Sequence, residues 1–198
     1  MELTTRIKII AVVICLYFAA HAAAAERQLI YTYIGPVAGG GLSNIRYSDW
    51  FQNKFPEQET KKIFGYFFHI GFTTCLVSRV AKNFDFIGDF SIQYMHNQNE
   101  KPLDHLYYTI SGKIGWSFAD FVTPALGIGL FFETPPSNRK YSSGGGFRIP
   151  LAVYFNTTHD TKLFVEGSVM YGFIGVGEKS TKFSYGVNLG FIFRVGRI

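Results

Sequence analysis

His105-Leu-Tyr-Tyr-Thr-Ile-Ser-Gly-Lys-Ile-Gly-Trp-Ser-Phe118 alternates along its whole length. Leu106, Tyr108, Ile110, Ile114, Trp116 and Phe118 fall on one side of an extended chain. His105, Tyr107, Thr109, Ser111, Lys113 and Ser117 fall on the other. Successive side chains of a strand point to opposite faces, so an alternation this long predicts a strand with one apolar and one polar face. Phe183 to Val195 repeats the pattern. Phe183, Tyr185, Val187, Leu189, Phe191, Phe193 and Val195 face one way, and Ser184, Gly186, Asn188, Gly190 and Arg194 the other.

Working outward, the same period predicts strands over Ile63 to Val77, Phe84 to Met95, Phe121 to Phe132, Phe147 to Phe155 and Leu163 to Phe173. A first strand, roughly Leu29 to Tyr47, is the least regular, because Gly35-Pro36 and Gly39-Gly40-Gly41 interrupt it. We therefore expect eight strands. A strand tilted by about 45° crosses the hydrocarbon of a bilayer in about 9–11 residues, and an even strand number suits a closed bacterial barrel. Between the strands, Ser48 to Lys62, His96 to Asp104, Glu133 to Gly146 and Gly175 to Lys182 read as the longer connections. Ser78 to Asn83, Ala119-Asp120 and Asn156 to Thr161 read as the short ones. That alternation fits short periplasmic turns and longer outside loops, with both termini in the periplasm.

Composition points the same way. Charged residues make up 17% of the 198-residue chain and aromatic residues 18%, with 21 Phe and 12 Tyr. A soluble domain carries about 25% charged residues, so much of this surface is expected not to face water. Residues 1–25 read as a secretory signal: Arg6 and Lys8, the apolar run Ile9 to Ala20, then small residues ending at Ala25. Residues 26–198 form the barrel domain. Taking Arg6, Lys8 and Glu2 away from the 19 basic and 14 acidic residues leaves a mild +4, spread along the chain, and no nucleic-acid patch is expected. Cys75 alone remains, so no internal disulfide is expected. No later apolar run reaches the length of a membrane helix, and a membrane-embedded chain without such helices must close as a barrel. The fold class is therefore all-β: an eight-stranded antiparallel up-and-down transmembrane barrel.

Its polar faces are small and its apolar faces bulky. Eight strands enclose room for little beyond their own side chains. The expected orientation is rings outward to lipid, with small and polar residues inward. An inward charge without a partner is costly. Asp85, Asp89 and Glu166 are thus expected to pair with Lys113, Arg148, Lys182 and Arg194 in an interior network that plugs the lumen. Pro36, Pro124 and Pro150 fall within strands, where each removes a ladder donor and weakens pairing. They are expected as bulges or kinks, and also mark candidate lateral openings.

The leader, the eight alternating strands, the loop asymmetry and the aromatic-rich last strand together resemble the small outer-membrane barrels of the OmpA, OmpX and OmpW type. The resemblance is architectural and spans the mature chain. It implies an integral outer-membrane protein handed to barrel-insertion machinery through Phe183 to Val195, although this chain ends in Gly196-Arg197-Ile198 rather than on a terminal Phe. Some such barrels modify lipids. The deacylase type resembles a His-x-Ser pattern, which only His159 and Thr161 approach, in a short turn. The palmitoyltransferase type gathers His, Asp and Ser at the outer surface, where Asp104-His105 and Ser142-Ser143 lie.

Gly39-Gly40-Gly41 is followed by no Gly-Lys-Ser/Thr, so it is read as a bend in the first strand rather than a phosphate loop. The mature histidines show no ligand spacing, so neither metal nor cofactor is expected. The expected function is a plugged, non-enzymatic barrel acting structurally or through its outside loops. Those loops carry Lys54, Lys61, Lys62, Lys101, Arg139, Lys140 and Lys179, suited to lipopolysaccharide phosphates or host molecules. The alternatives are a conduit for small hydrophobic molecules with a side exit, and a lipid-modifying enzyme.

Overall fold

The computed structural model describes residues 30–46, 62–81, 83–98, 103–118, 121–134, 143–174 and 180–197. The expected leader and most of the longer connections lie outside the described residues. Eight strands run in chain order: β1 (Ile30–Arg46), β2 (Lys62–Ala81), β3 (Phe84–Gln98), β4 (Leu103–Trp116), β5 (Val122–Thr134), β6 (Gly144–Asn156), β7 (Thr161–Ile174) and β8 (Ser180–Arg197). Each pairs antiparallel with the next, and β1 pairs with β8, from Tyr31↔Arg197 to Arg46↔Thr181, to close the barrel. Closure leaves the sheet without an edge, so backbone groups are paired around the wall, as a bilayer demands.

Several strands outrun the apolar pattern that reveals them. β2 continues to Ala81, β3 to Gln98, β5 to Thr134, and β8 begins at Ser180. A ladder does not stop where the hydrocarbon stops, so polar residues at strand ends look like loops in the sequence. One consequence corrects the loop pattern. The β3–β4 connection contracts to residues 99–102, no longer than the 157–160 turn between β6 and β7. Strong length asymmetry survives only at the β1–β2 and β5–β6 connections. β1 also runs unbroken through its glycines, paired with β2 and β8 along Gly39, Gly40 and Gly41.

Side chains alternate outward and inward on every strand. The outward set is apolar all the way round, including Phe68, Ile70, Leu126, Ile128, Phe147 and Leu189. A soluble monomer rarely exposes an apolar patch beyond a few hundred Å². A continuous apolar wall around a closed barrel is a transmembrane surface.

The interior departs from the expected "rings out, small groups in". Two apolar clusters fill it. At the end that carries both termini sit Tyr33, Val77, Ile87, Tyr154, Phe164 and Ile192. Towards the other end sit Phe67, Met95, Tyr107, Phe131 and Met170. Inward glycines make this room. A Cβ on Gly190 would lie 2.1 Å from the Phe164 ring, and one on Gly41 or Gly172 would lie 2.7 Å from the ring tip of Phe67 or Phe131. Each inner Phe is thus matched to a missing side chain on the adjacent strand or, for Phe131, one strand further round the wall, which lets large rings fill a narrow barrel.

Candidate functional site

Between the two apolar clusters lies a polar layer contributed by five strands. Asp89 comes from β3, Lys113 from β4, Arg148 from β6, Glu166 from β7 and Asn188 from β8. Period-two alternation turns all five inward, and all are buried. The Lys113 ammonium sits 2.9 Å from Asp89 and 2.5 Å from Glu166, and donates to the Tyr154 hydroxyl at 3.0 Å. Arg148 donates to the other Glu166 oxygen, which also receives the Asn188 amide at 3.1 Å. Ser111 donates to Asp89 at 2.6 Å. Two acids and two bases balance, and every charge has an opposite within contact. Mutual pairing with added hydrogen bonds is what allows ions to sit this deep. A pocket in this layer, lined in part by Gln93, Thr109, Arg148 and Glu166, has a volume of about 10 Å³, room for a single water.

The other charges on which an interior network was expected go elsewhere. Asp85 lies near the terminal end of the barrel, bonded to Arg79 at 2.9 Å and to Ser117 at 2.8 Å. Lys182 pairs with Glu133 at 2.5 Å towards the loop end. Arg194 pairs with Asp160 at the partly exposed terminal rim. Sequence reasoning missed three of these partners. Glu133 was read as the start of a loop, yet the Val122-to-Phe132 alternation, carried one residue further, turns it inward. Arg79 and Asp160 sit beside turns, where periodicity carries no signal. Asn188 was read on the polar face of its strand, and neither it nor Tyr154 or His69 was expected in a network. His69 on β2 meets the Asn188 side-chain oxygen through Nε2 at 2.5 Å.

The prolines fall at distinct places. Pro36 points outward, and the β1–β8 ladder passes from Ile34↔Phe193 to Val37↔Gly190 with no partner for Gly35 or Pro36. Pro150 points inward. The β5–β6 ladder jumps from Leu126↔Leu151 to Gly129↔Arg148, leaving Gly127, Ile128, Ile149 and Pro150 unpaired on that side. Pro124 stays in register with Val153. Missing N–H groups explain the breaks at Pro36 and Pro150.

His159 lies exposed in the β6–β7 turn, and the Thr161 hydroxyl is held by Thr157 and Thr158 at 2.7 and 2.6 Å. His105 is buried on the lumen side, whereas Ser142 lies outside the described residues. So do Lys54, Lys61, Lys101, Arg139, Lys140 and Lys179.

The sequence matches no protein-family model and no curated protein sequence. Among solved structures it is similar to Ail, the attachment invasion locus protein of Yersinia pestis, at 14% identity and a TM-score of 0.39, covering 85% of this chain and 100% of that one. It is also similar to neisserial surface protein A, at 16% identity and a TM-score of 0.41 over 80% and 96% of the two chains. The outer membrane protein OprG of Pseudomonas aeruginosa is similar at 10% identity and a TM-score of 0.40, over 86% and 97%.

Proposed function

We propose that this chain is an integral protein of a bacterial outer membrane whose lumen is closed, and which works structurally or by contact through its outside loops. Its termini then face the periplasm, and its partners are membrane lipid, lipopolysaccharide phosphates or host molecules. The barrel-insertion machinery is engaged through β8. The observation that carries the closed lumen is the neutral layer of Asp89, Lys113, Glu166 and Arg148, held between two apolar clusters around a pocket with room for one water. The test is gel migration of the membrane fraction with and without heating, followed by conductance in planar bilayers. We expect a heat-dependent shift and no steady ion current. A chain in the soluble fraction with no shift refutes the membrane barrel, and a large open conductance refutes the closed lumen.

The ladder breaks at Pro36 and Pro150 favour a second reading, a conduit that releases small hydrophobic molecules sideways into the membrane. On that reading, Pro36→Ala and Pro150→Ala slow the uptake of a hydrophobic fluorescent probe into vesicles carrying the barrel. Uptake unchanged by both substitutions rejects it.

A further inference from the structure

His69 reaches past a neighbouring strand, as Lys113 of β4 does to Glu166 of β7. His69 stands on β2, and its partner Asn188 stands on β8, with β1 between them. The residue of β1 in register with both is Gly39. A Cβ there would lie 2.3 Å from His69 Nε2 and 2.6 Å from the Asn188 side-chain oxygen. Gly39 therefore clears a passage for this contact rather than bending the strand. Asn188 hands the link on to Glu166 through its amide. The imidazole lies parallel to the Tyr107 ring of β4 at 6.0 Å and against Phe67 of its own strand. Arg148 of β6 and Glu166 of β7 are the charges acting on it. His69 is 5% exposed, and its Nδ1 is buried with no partner among the described residues.

This geometry accepts only one protonation state. Because the Asn188 amide nitrogen donates to Glu166, its oxygen faces His69 and takes the Nε2–H. Nδ1 is then the unprotonated nitrogen. A proton added there becomes a buried N–H with no acceptor, and adds a positive charge beside Arg148 in a layer whose charges already cancel. We infer that the His69–Asn188–Glu166 chain is an acid-sensitive latch: closed when His69 is neutral, it ties β2 across β1 to the ionic layer, and protonation of Nδ1 releases it. A charge that the folded state cannot hold favours opening as pH falls. The latch adds regulation to the closed lumen proposed above and rests on that reading.

The experiment uses the full barrel in detergent micelles. The midpoint of heat-dependent unfolding is followed on gels from pH 7.5 to pH 4.5 for the wild type and for His69→Gln, whose amide donates to Asn188 but does not titrate. The wild-type midpoint is expected to fall by roughly 4–8 °C more than that of the variant. Equal falls assign the acid response to carboxylates and overturn the latch, as does a wild type that does not respond. Should the variant fail to fold, ¹⁵N shifts of the wild-type imidazole decide. The latch requires a neutral Nε2–H form at pH 7.5 that gains its second proton together with the loss of stability. An imidazole already doubly protonated at pH 7.5, or still neutral after the barrel has loosened, overturns it. Failure here with the lumen still non-conducting removes only the latch, whereas a barrel that conducts at pH 7.5 removes the closed lumen itself.

Discussion

Glu166→Ala is expected to destabilise the barrel by roughly 3–5 kcal/mol, the usual cost of leaving a buried ion without its partner. Glu166 is the one carboxylate shared by both bases of the layer: it holds Lys113 through one oxygen and Arg148 through the other. Without it, Lys113 retains Asp89 at 2.9 Å, but Arg148 loses the acid that it contacts. The double variant Arg148→Ala with Glu166→Ala removes one charge of each sign and leaves the Lys113–Asp89 pair balanced. Its loss should fall well short of the sum of the two single losses, because members of one network couple by about 0.5–3 kcal/mol. Urea unfolding midpoints of the barrel in lipid vesicles measure all three variants. If Glu166→Ala unfolds with the wild-type midpoint, or the double variant loses the full sum, the charges are solvated and the lumen is open.

That layer was only half legible in the sequence. Period two is a local property, so the faces of Asp89, Lys113, Arg148 and Glu166 could be read from a few neighbours each. Which of them meet depends on strand register and on height in the barrel, which no single strand encodes. Lys182 and Arg194 lie on the same inward face of β8 as Asn188, yet only Asn188 reaches the layer, because the strand carries Lys182 towards one end and Arg194 to the other. The inner rings were missed for a related reason. Phe67, Phe131 and Phe164 interrupt faces that are otherwise small and polar. They make sense only beside Gly41, Gly172 and Gly190, which are far away in sequence and lie on the adjacent strand or one strand beyond. Strand number was accessible because hydrophobic period and turn residues are local. Strand length was not, because the ladder runs past the bilayer on residues that look like loop.

The outward wall yields a prediction that separates lipid from water as its surroundings. Leu189 and Val195 point outward from the same strand, 56% and 61% exposed. They stand about 20 Å apart along it, six residues at about 3.3 Å each. Leu189 is at the middle of β8, and Val195 is near the end that carries the chain termini. In a bilayer the cost of an outward arginine depends on depth, about 2–4 kcal/mol at the midplane and about 0–1 kcal/mol near the interface, where the long side chain reaches water. Leu189→Arg should therefore lower vesicle unfolding stability several-fold more than Val195→Arg does. In water the two positions are equivalent. Both are exposed, neither touches the ionic layer, and surface substitutions of this kind stay within about 0.5 kcal/mol. Equal and small effects would mean that the apolar wall is not in hydrocarbon. A gradient along one strand, from a large loss at Leu189 to a small one at Val195, is an outcome that the membrane produces and a soluble barrel does not.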